Sequence, residues 1–323
     1  MGEPDLVACR ERSFLKSVPA GHKVLIQEVK NGGIAMKHGI CLTTIYPDAI
    51  TDSKLMGGLI RKVRDLELFQ CVEIYFEGSP REEAAIQKTL ADAGITAVYL
   101  GGLPVKRDGI DLTSKSERVR QKSVEMCKRH MDHANRMGCS RIVIASGRDW
   151  EETGCREQIA ECMRGSLGAL DRYVEGSGIQ ICLEPFPVKT EPYLAVGESM
   201  FVYEIFTGSD FRNVGITFDT SHFLQIGENL EESFLLLKPW ISHIHLANCV
   251  MKDKTSPLYG DKHPLFCQEG GSLGIEDARA YYQRLNREEL LQKVEICSVE
   301  IISRGREDWY FDAVCKEAES IWR

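Results

Sequence analysis

Four residues able to bind a metal stand at the ends of four apolar runs in the second half of the chain: Glu184 in IQICLEPFP, Asp219 in VGITFDTSH, His245 in ISHIHLAN and Glu300 in ICSVEIIS. Each run reads as a buried strand, and each polar residue falls at or near its C-terminal end. A carboxylate or imidazole there is costly to bury without a partner. Four of them on four successive strands would meet at one point if the strands closed into a barrel. Two Glu, one Asp and one His form a ligand set for a divalent ion such as Mn, Mg, Co or Zn. The arrangement makes the chain a candidate metal-dependent enzyme. Taken singly, each residue has another use. Glu184 could pair with an Arg or Lys, Asp219 could cap the turn after its strand, and His245 could be a hydrogen-bonded core histidine.

The elements that must position these residues alternate regularly. Eight strand-like runs cover 38–46, 71–78, 96–102, 141–147, 179–186, 214–222, 241–248 and 297–303. Amphipathic, helix-like segments follow them at 53–69, 80–94, 116–138, 155–178, 197–208, 230–240, 274–290 and 308–323. Strand–helix alternation implies parallel strands joined by crossovers. Eight such units predict an α/β fold, a (β/α)8 TIM barrel over 38–323. An open doubly wound sheet is the rival, but Ile45-Tyr46-Pro47-Asp48 after the first run lacks the glycine-rich phosphate loop typical of that fold. Residues 1–37 precede the barrel. Two apolar runs around Asn31-Gly32-Gly33 predict a short N-terminal β-hairpin extension there.

The 323 residues suit one barrel domain, and no linker divides them. No apolar stretch approaches the ~20 residues that span a bilayer. The first residues lack the apolar core of a signal peptide. A cytoplasmic location with no membrane partner is therefore expected. A net charge of −8 argues against a nucleic-acid partner. The 12 cysteines form no CxxC pair and are expected to be reduced, largely buried thiols.

The motifs LEPF around Glu184, FDTSH at 218–222, HIHLAN at 243–248 and VEI around Glu300, in this order and spacing, resemble the xylose-isomerase-like TIM-barrel superfamily. That group holds sugar phosphate isomerases and epimerases and endonuclease-IV-like enzymes. The resemblance implies one divalent metal, manganese ahead of magnesium, cobalt and zinc, held by Glu184, Asp219, His245 and Glu300. It implies that Glu184 and Glu300 are also catalytic. One would remove a proton beside a carbonyl, and the other would return a proton to the opposite face through a metal-bound enediolate. The expected substrate is a small carbohydrate, a sugar or keto-sugar, and the resemblance allows a homo-oligomer. His222 resembles the family's substrate-oxygen contact.

His243 shares a strand face with His245 and is expected deeper in the barrel, supporting the site from behind. Asp261 and His263, in the long loop after the seventh strand, form a D-x-H pair. Endonuclease-IV-type enzymes use a similar pair for an additional zinc, together with histidines at the ends of strands three and four. Here those ends read Gly101-Gly102-Leu103 and Ser146-Gly147-Arg148, so a trinuclear zinc site is not expected. Asp261 and His263 are expected to touch substrate or water, or else to hold the loop through local bonds. His130 and His133, on a long polar helix, are expected to be solvated.

Related epimerases often carry an Arg soon after the seventh-strand His. The stretch Leu246–Lys252 has none, which leaves room for a second activity, a lyase or dehydratase acting by the same deprotonation and then β-elimination, for example on 3-keto-glycosides. A DNA-repair phosphodiesterase and a non-catalytic subunit are the remaining alternatives.

Overall fold

Alternation along each strand decides which side chains enter the barrel. A computed structural model describes residues 36–150, 154–287 and 293–323. The strands are β1 (Lys37–Cys41), β2 (Cys71–Ile74), β3 (Thr96–Leu100), β4 (Arg141–Ile144), β5 (Gln180–Leu183), β6 (Val214–Asp219), β7 (Ile241–Leu246) and β8 (Ile296–Val299). They are parallel and pair in chain order, and β8 closes on β1. The (β/α)8 barrel is therefore the fold, and the open-sheet alternative is excluded. The expected N-terminal hairpin at 31–33 lies outside the described residues. Among the described residues no helix is long and apolar enough to cross a membrane, and every cysteine is a free thiol.

Successive strand side chains point to opposite faces. Val72 and Ile74, Ile181 and Leu183, Ile216 and Phe218, and Ile244 and Leu246 pack outward in the main core. Their alternates Cys71, Val98, Val143, Cys182 and Ile296 form a small apolar cluster of their own. One step further along the same faces come Glu73, Thr217, Asp219, His243 and His245, buried but polar. The interior thus changes from apolar to polar toward the C-terminal ends of the strands, where a barrel of this kind places its chemistry.

The strands end sooner than the apolar runs. Leu42–Ile45, Gly102–Asp108 and Thr220–Ile226 are short helices that begin immediately or one residue after their strands. A register shift between Ile216 and Thr217 sets Thr217 opposite His243 and Asp219 opposite His245. Helix boundaries follow local chemistry. Ser79 and Glu82 form a capping box at the start of Pro80–Ala93, and Gly94, at φ +66°, ends it.

Candidate metal centre and active site

Glu184 follows β5, Asp219 ends β6, His245 is the penultimate residue of β7, and Glu300 follows β8. One ligand atom from each lies within 4.8 Å of the others. His245 Nδ1 is 3.0 Å from Glu184 Oε1, 2.9 Å from Glu300 Oε2 and 3.7 Å from Asp219 Oδ2. The four side chains singled out in the sequence do converge.

Asp219 serves two purposes at once. Its Oδ1 accepts from Ser221 N (2.7 Å), Ser221 Oγ (2.7 Å) and His222 N (3.1 Å), capping the helix Thr220–Ile226. Its Oδ2 is buried without a hydrogen-bond partner. Such a buried orphan is rare, and a bound ion would resolve it. The donor set of three carboxylates and one imidazole, with this free oxygen aimed among them, fits a divalent cation.

The charges in this cluster act strongly on one another. Burial pushes the Glu184 carboxyl above its ordinary range, against the pull of His245 and His222. Burial acts the same way on Asp219, but His222, His263 and His245 outweigh it and hold that carboxyl low. Burial opposes a charge on His245, yet Glu73 and Glu300 beside it keep the imidazole well above its usual value.

The sequence offered no motif for Glu73. It is fully buried on β2 and accepts from His243 Nε2 (2.8 Å) and His245 Nε2 (3.0 Å). Its one visible signal was a charge inside the apolar run Cys71-Val72-Glu73-Ile74, which needs a buried partner. His243 lies where expected, deeper than His245, with its Nδ1 3.0 Å from Thr217 Oγ1.

His222, Asp261 and His263 come together at one side of the cluster. Asp261 Oδ1 accepts from His222 Nε2 (3.2 Å) and His263 Nε2 (2.6 Å). His222 Nδ1 donates to Pro185 O (2.8 Å), and its ring lies 4.2 Å from that of Phe186. Burial would lower His222, but Asp219 and Asp261 raise it to about 9. Against the same burial, Glu300 and Asp261 raise His263 to about 10. His263 Nδ1 is buried without a hydrogen-bond partner, 3.9 Å from Glu300 Oε2 and 4.0 Å from Asp219 Oδ2.

The loop holds His263 firmly. Its backbone has φ +40°, a costly conformation for a non-glycine residue. Ile302 N donates to its carbonyl at 3.0 Å. Asn248 binds Leu265 O (3.1 Å) and Leu273 N (2.9 Å), and Glu317 accepts from Phe266 N (2.9 Å) and Cys267 N (3.0 Å).

The expectation of a solvated His130 is corrected, while His133 keeps 37% of its side chain exposed. His130 lies between Tyr99 Oη (3.1 Å) and Asp108 Oδ2 (3.3 Å), and His133 Nδ1 lies 2.7 Å from the buried Glu83. A polar helix still buries one stripe, and both histidines bond at its edge.

The chain belongs to the xylose isomerase-like TIM barrel family, whose family model matches residues 60–313. No curated protein matches it. Among solved structures it is similar to a D-tagatose 3-epimerase-like protein, with TM-score 0.66 and 21% identity over 88% of this chain and 98% of that one. It is also similar to the 3-keto-D-glucoside 4-epimerase YcjR from E. coli, with TM-score 0.63 and 15% identity over 88% and 99% of the two chains. A third similar structure is the IOLI protein with a binding zinc atom, with TM-score 0.63 and 17% identity over 88% and 95%. At these identities the likeness is one of fold.

Proposed function

We propose that the protein is a divalent-metal-dependent isomerase or epimerase of a sugar or keto-sugar. The observation that carries this reading is the placement of Glu184 Oε1 and Glu300 Oε2 at 3.0 and 2.9 Å from the same His245 Nδ1, so that two carboxylates border one polar point at the barrel mouth. Two bases beside one bound substrate can work on its two faces. One Glu removes the proton from the carbon next to the carbonyl, leaving an enediolate. The other delivers a proton to the opposite face, and the configuration at that carbon is inverted. Return of the proton to the neighbouring carbon instead interconverts aldose and ketose.

Glu184, Asp219, His245 and Glu300 would hold the ion. When bound, a divalent ion supplies Lewis-acid polarisation of the substrate's oxygens. His263, with a free buried Nδ1 facing Glu300, would bind a substrate oxygen, and Asp261 and His222 would fix its ring. YcjR's printed activity, on a 3-keto-D-glucoside, makes keto-glycosides a class to try beside free ketoses.

The test is incubation of the Mn2+-loaded protein in heavy water with free keto-sugars and 3-keto-glycosides, followed by NMR. Deuterium at the carbon beside the carbonyl, with an epimer or isomer as product, is the expected result. An unsaturated product would assign β-elimination to the same deprotonation. No exchange with any member of either class would overturn the reading.

A further inference from the structure

Glu73 lies beneath the four strand-end residues, and its side chain is 0% exposed. Two histidines of β7 take up its two oxygens, His243 at 2.8 Å and His245 at 3.0 Å. A carboxylate with two such neighbours only accepts, so each Nε2 carries the hydrogen. His243 Nδ1 is then the acceptor for the Thr217 hydroxyl at 3.0 Å. His245 Nδ1 is left as the ring nitrogen that points among Glu184, Asp219 and Glu300.

We propose that Glu73 is a positioning residue for the metal centre, selecting the nitrogen His245 presents to the ion, with His243 and Thr217 holding Glu73 in place. The proposal rests on reading Glu184, Asp219, His245 and Glu300 as that centre. To bind an ion the imidazole must give up a hydrogen and become neutral, and the one hydrogen it keeps can sit on either nitrogen. With an acceptor at Nε2 the hydrogen stays there, and Nδ1 keeps its lone pair for a cation. Without the acceptor, Glu184 and Glu300 would draw the hydrogen to Nδ1 and close the donor position. The carboxylate also adds negative charge behind the ligand, which strengthens it. Both histidines and Glu73 come from barrel strands, so the alignment is held by the sheet and not by a loop.

The experiment titrates Co2+ into metal-free wild type, Glu73→Gln and Glu73→Met. Affinity is read by calorimetry, ligand geometry by the visible Co2+ spectrum, and the fold by near-ultraviolet circular dichroism of the metal-free proteins. Met fills nearly the same volume and cannot accept, so affinity should fall about 10- to 100-fold with an altered spectrum. Gln keeps one acceptor oxygen without the charge and should recover part of the loss. A purely structural role would move the melting temperatures and leave this ranking absent. If the Met variant does not fold, Gln decides, and an affinity several-fold below wild type is expected. Wild-type affinity in the folded variants would overturn the role of Glu73 alone. Wild type that takes up no Co2+ would overturn the metal centre and this role together.

Discussion

Asp219 shows how one residue can carry a structural and a chemical job on separate atoms. Oδ1 caps a helix and Oδ2 is free among the candidate ligands. Asn caps as well as Asp does. Asp219→Asn should therefore keep the cap, lose the attraction of the three imidazoles, and weaken Mn2+ binding by about 100-fold, because an amide nitrogen replaces the free oxygen. Asp219→Ala should in addition lose about 0.5–2 kcal/mol in urea unfolding. Equal stability of the two variants would count against the cap. Glu184→Gln and Glu300→Gln should each slow solvent-deuterium exchange by roughly 10²–10⁴-fold. The cluster was legible in the sequence because each member interrupts an apolar pattern at a strand end. Glu73 interrupts its own run in the same way. It is harder to read because the apolar run continues to Gly78, which puts Glu73 near the start of the run and not at its end, and its partners lie about 170 positions away.

At the scale of elements, close packing between neighbours fixes the frame under the site. A Cβ added to Gly39 on β1 would lie 2.2 Å from Ser298 Oγ on β8. Gly39→Ala should cost about 1–3 kcal/mol in thermal or urea unfolding, as overpacking does. Adding Ser298→Ala should recover part of that, since the Cβ atoms of residue 298 and Cys71 stay 3.2 Å away. A Gly39→Ala protein as stable as wild type would contradict the close approach. The loop that carries Asp261 and His263 depends on Glu317, from the helix Glu307–Trp322. Glu317→Ala removes the acceptor for the N–H groups of Phe266 and Cys267, and the loss at the buried Phe266 alone should cost about 1–3 kcal/mol. Hydrogen exchange should quicken across residues 249–273 first. The strand and helix order could be read from apolar periodicity. The short helices directly after β1, β3 and β6 could not, because Leu42–Ile45 and Thr220–Ile226 continue the same apolar character in a different backbone geometry.

For the molecule as a whole, barrel closure lets residues from β2, β5, β6, β7 and β8 share one interior. The eightfold alternation predicted that closure. It could not say which interior side chains bond across the barrel, since that depends on strand register and on the shift at Ile216/Thr217. The bottom of the barrel supplies a pH-dependent part of stability. His38 stacks on Trp322 with ring centres 4.0 Å apart and bonds Tyr282 Oη at 2.8 Å. Burial lowers its pKa to about 4. As pH falls below the ordinary histidine value near 6.5, the unfolded chain takes up a proton that the folded protein refuses. Stability is therefore lost on acidification through the window from about 6.5 down to about 4. Compared with His38→Phe, which has no such group, wild type should lose roughly 3 kcal/mol more between pH 7 and pH 4 in urea unfolding. A gap independent of pH would contradict the buried neutral histidine.

The central claim is that four strand ends make one metal centre. It is tested most directly by the metal bound per chain in purified protein reconstituted with Mn2+, wild type beside the Glu184→Gln/Glu300→Gln double variant. The account predicts about one ion per wild-type chain and almost none in a double variant that keeps its fold. Wild type without metal, or a double variant that retains it, would contradict the account.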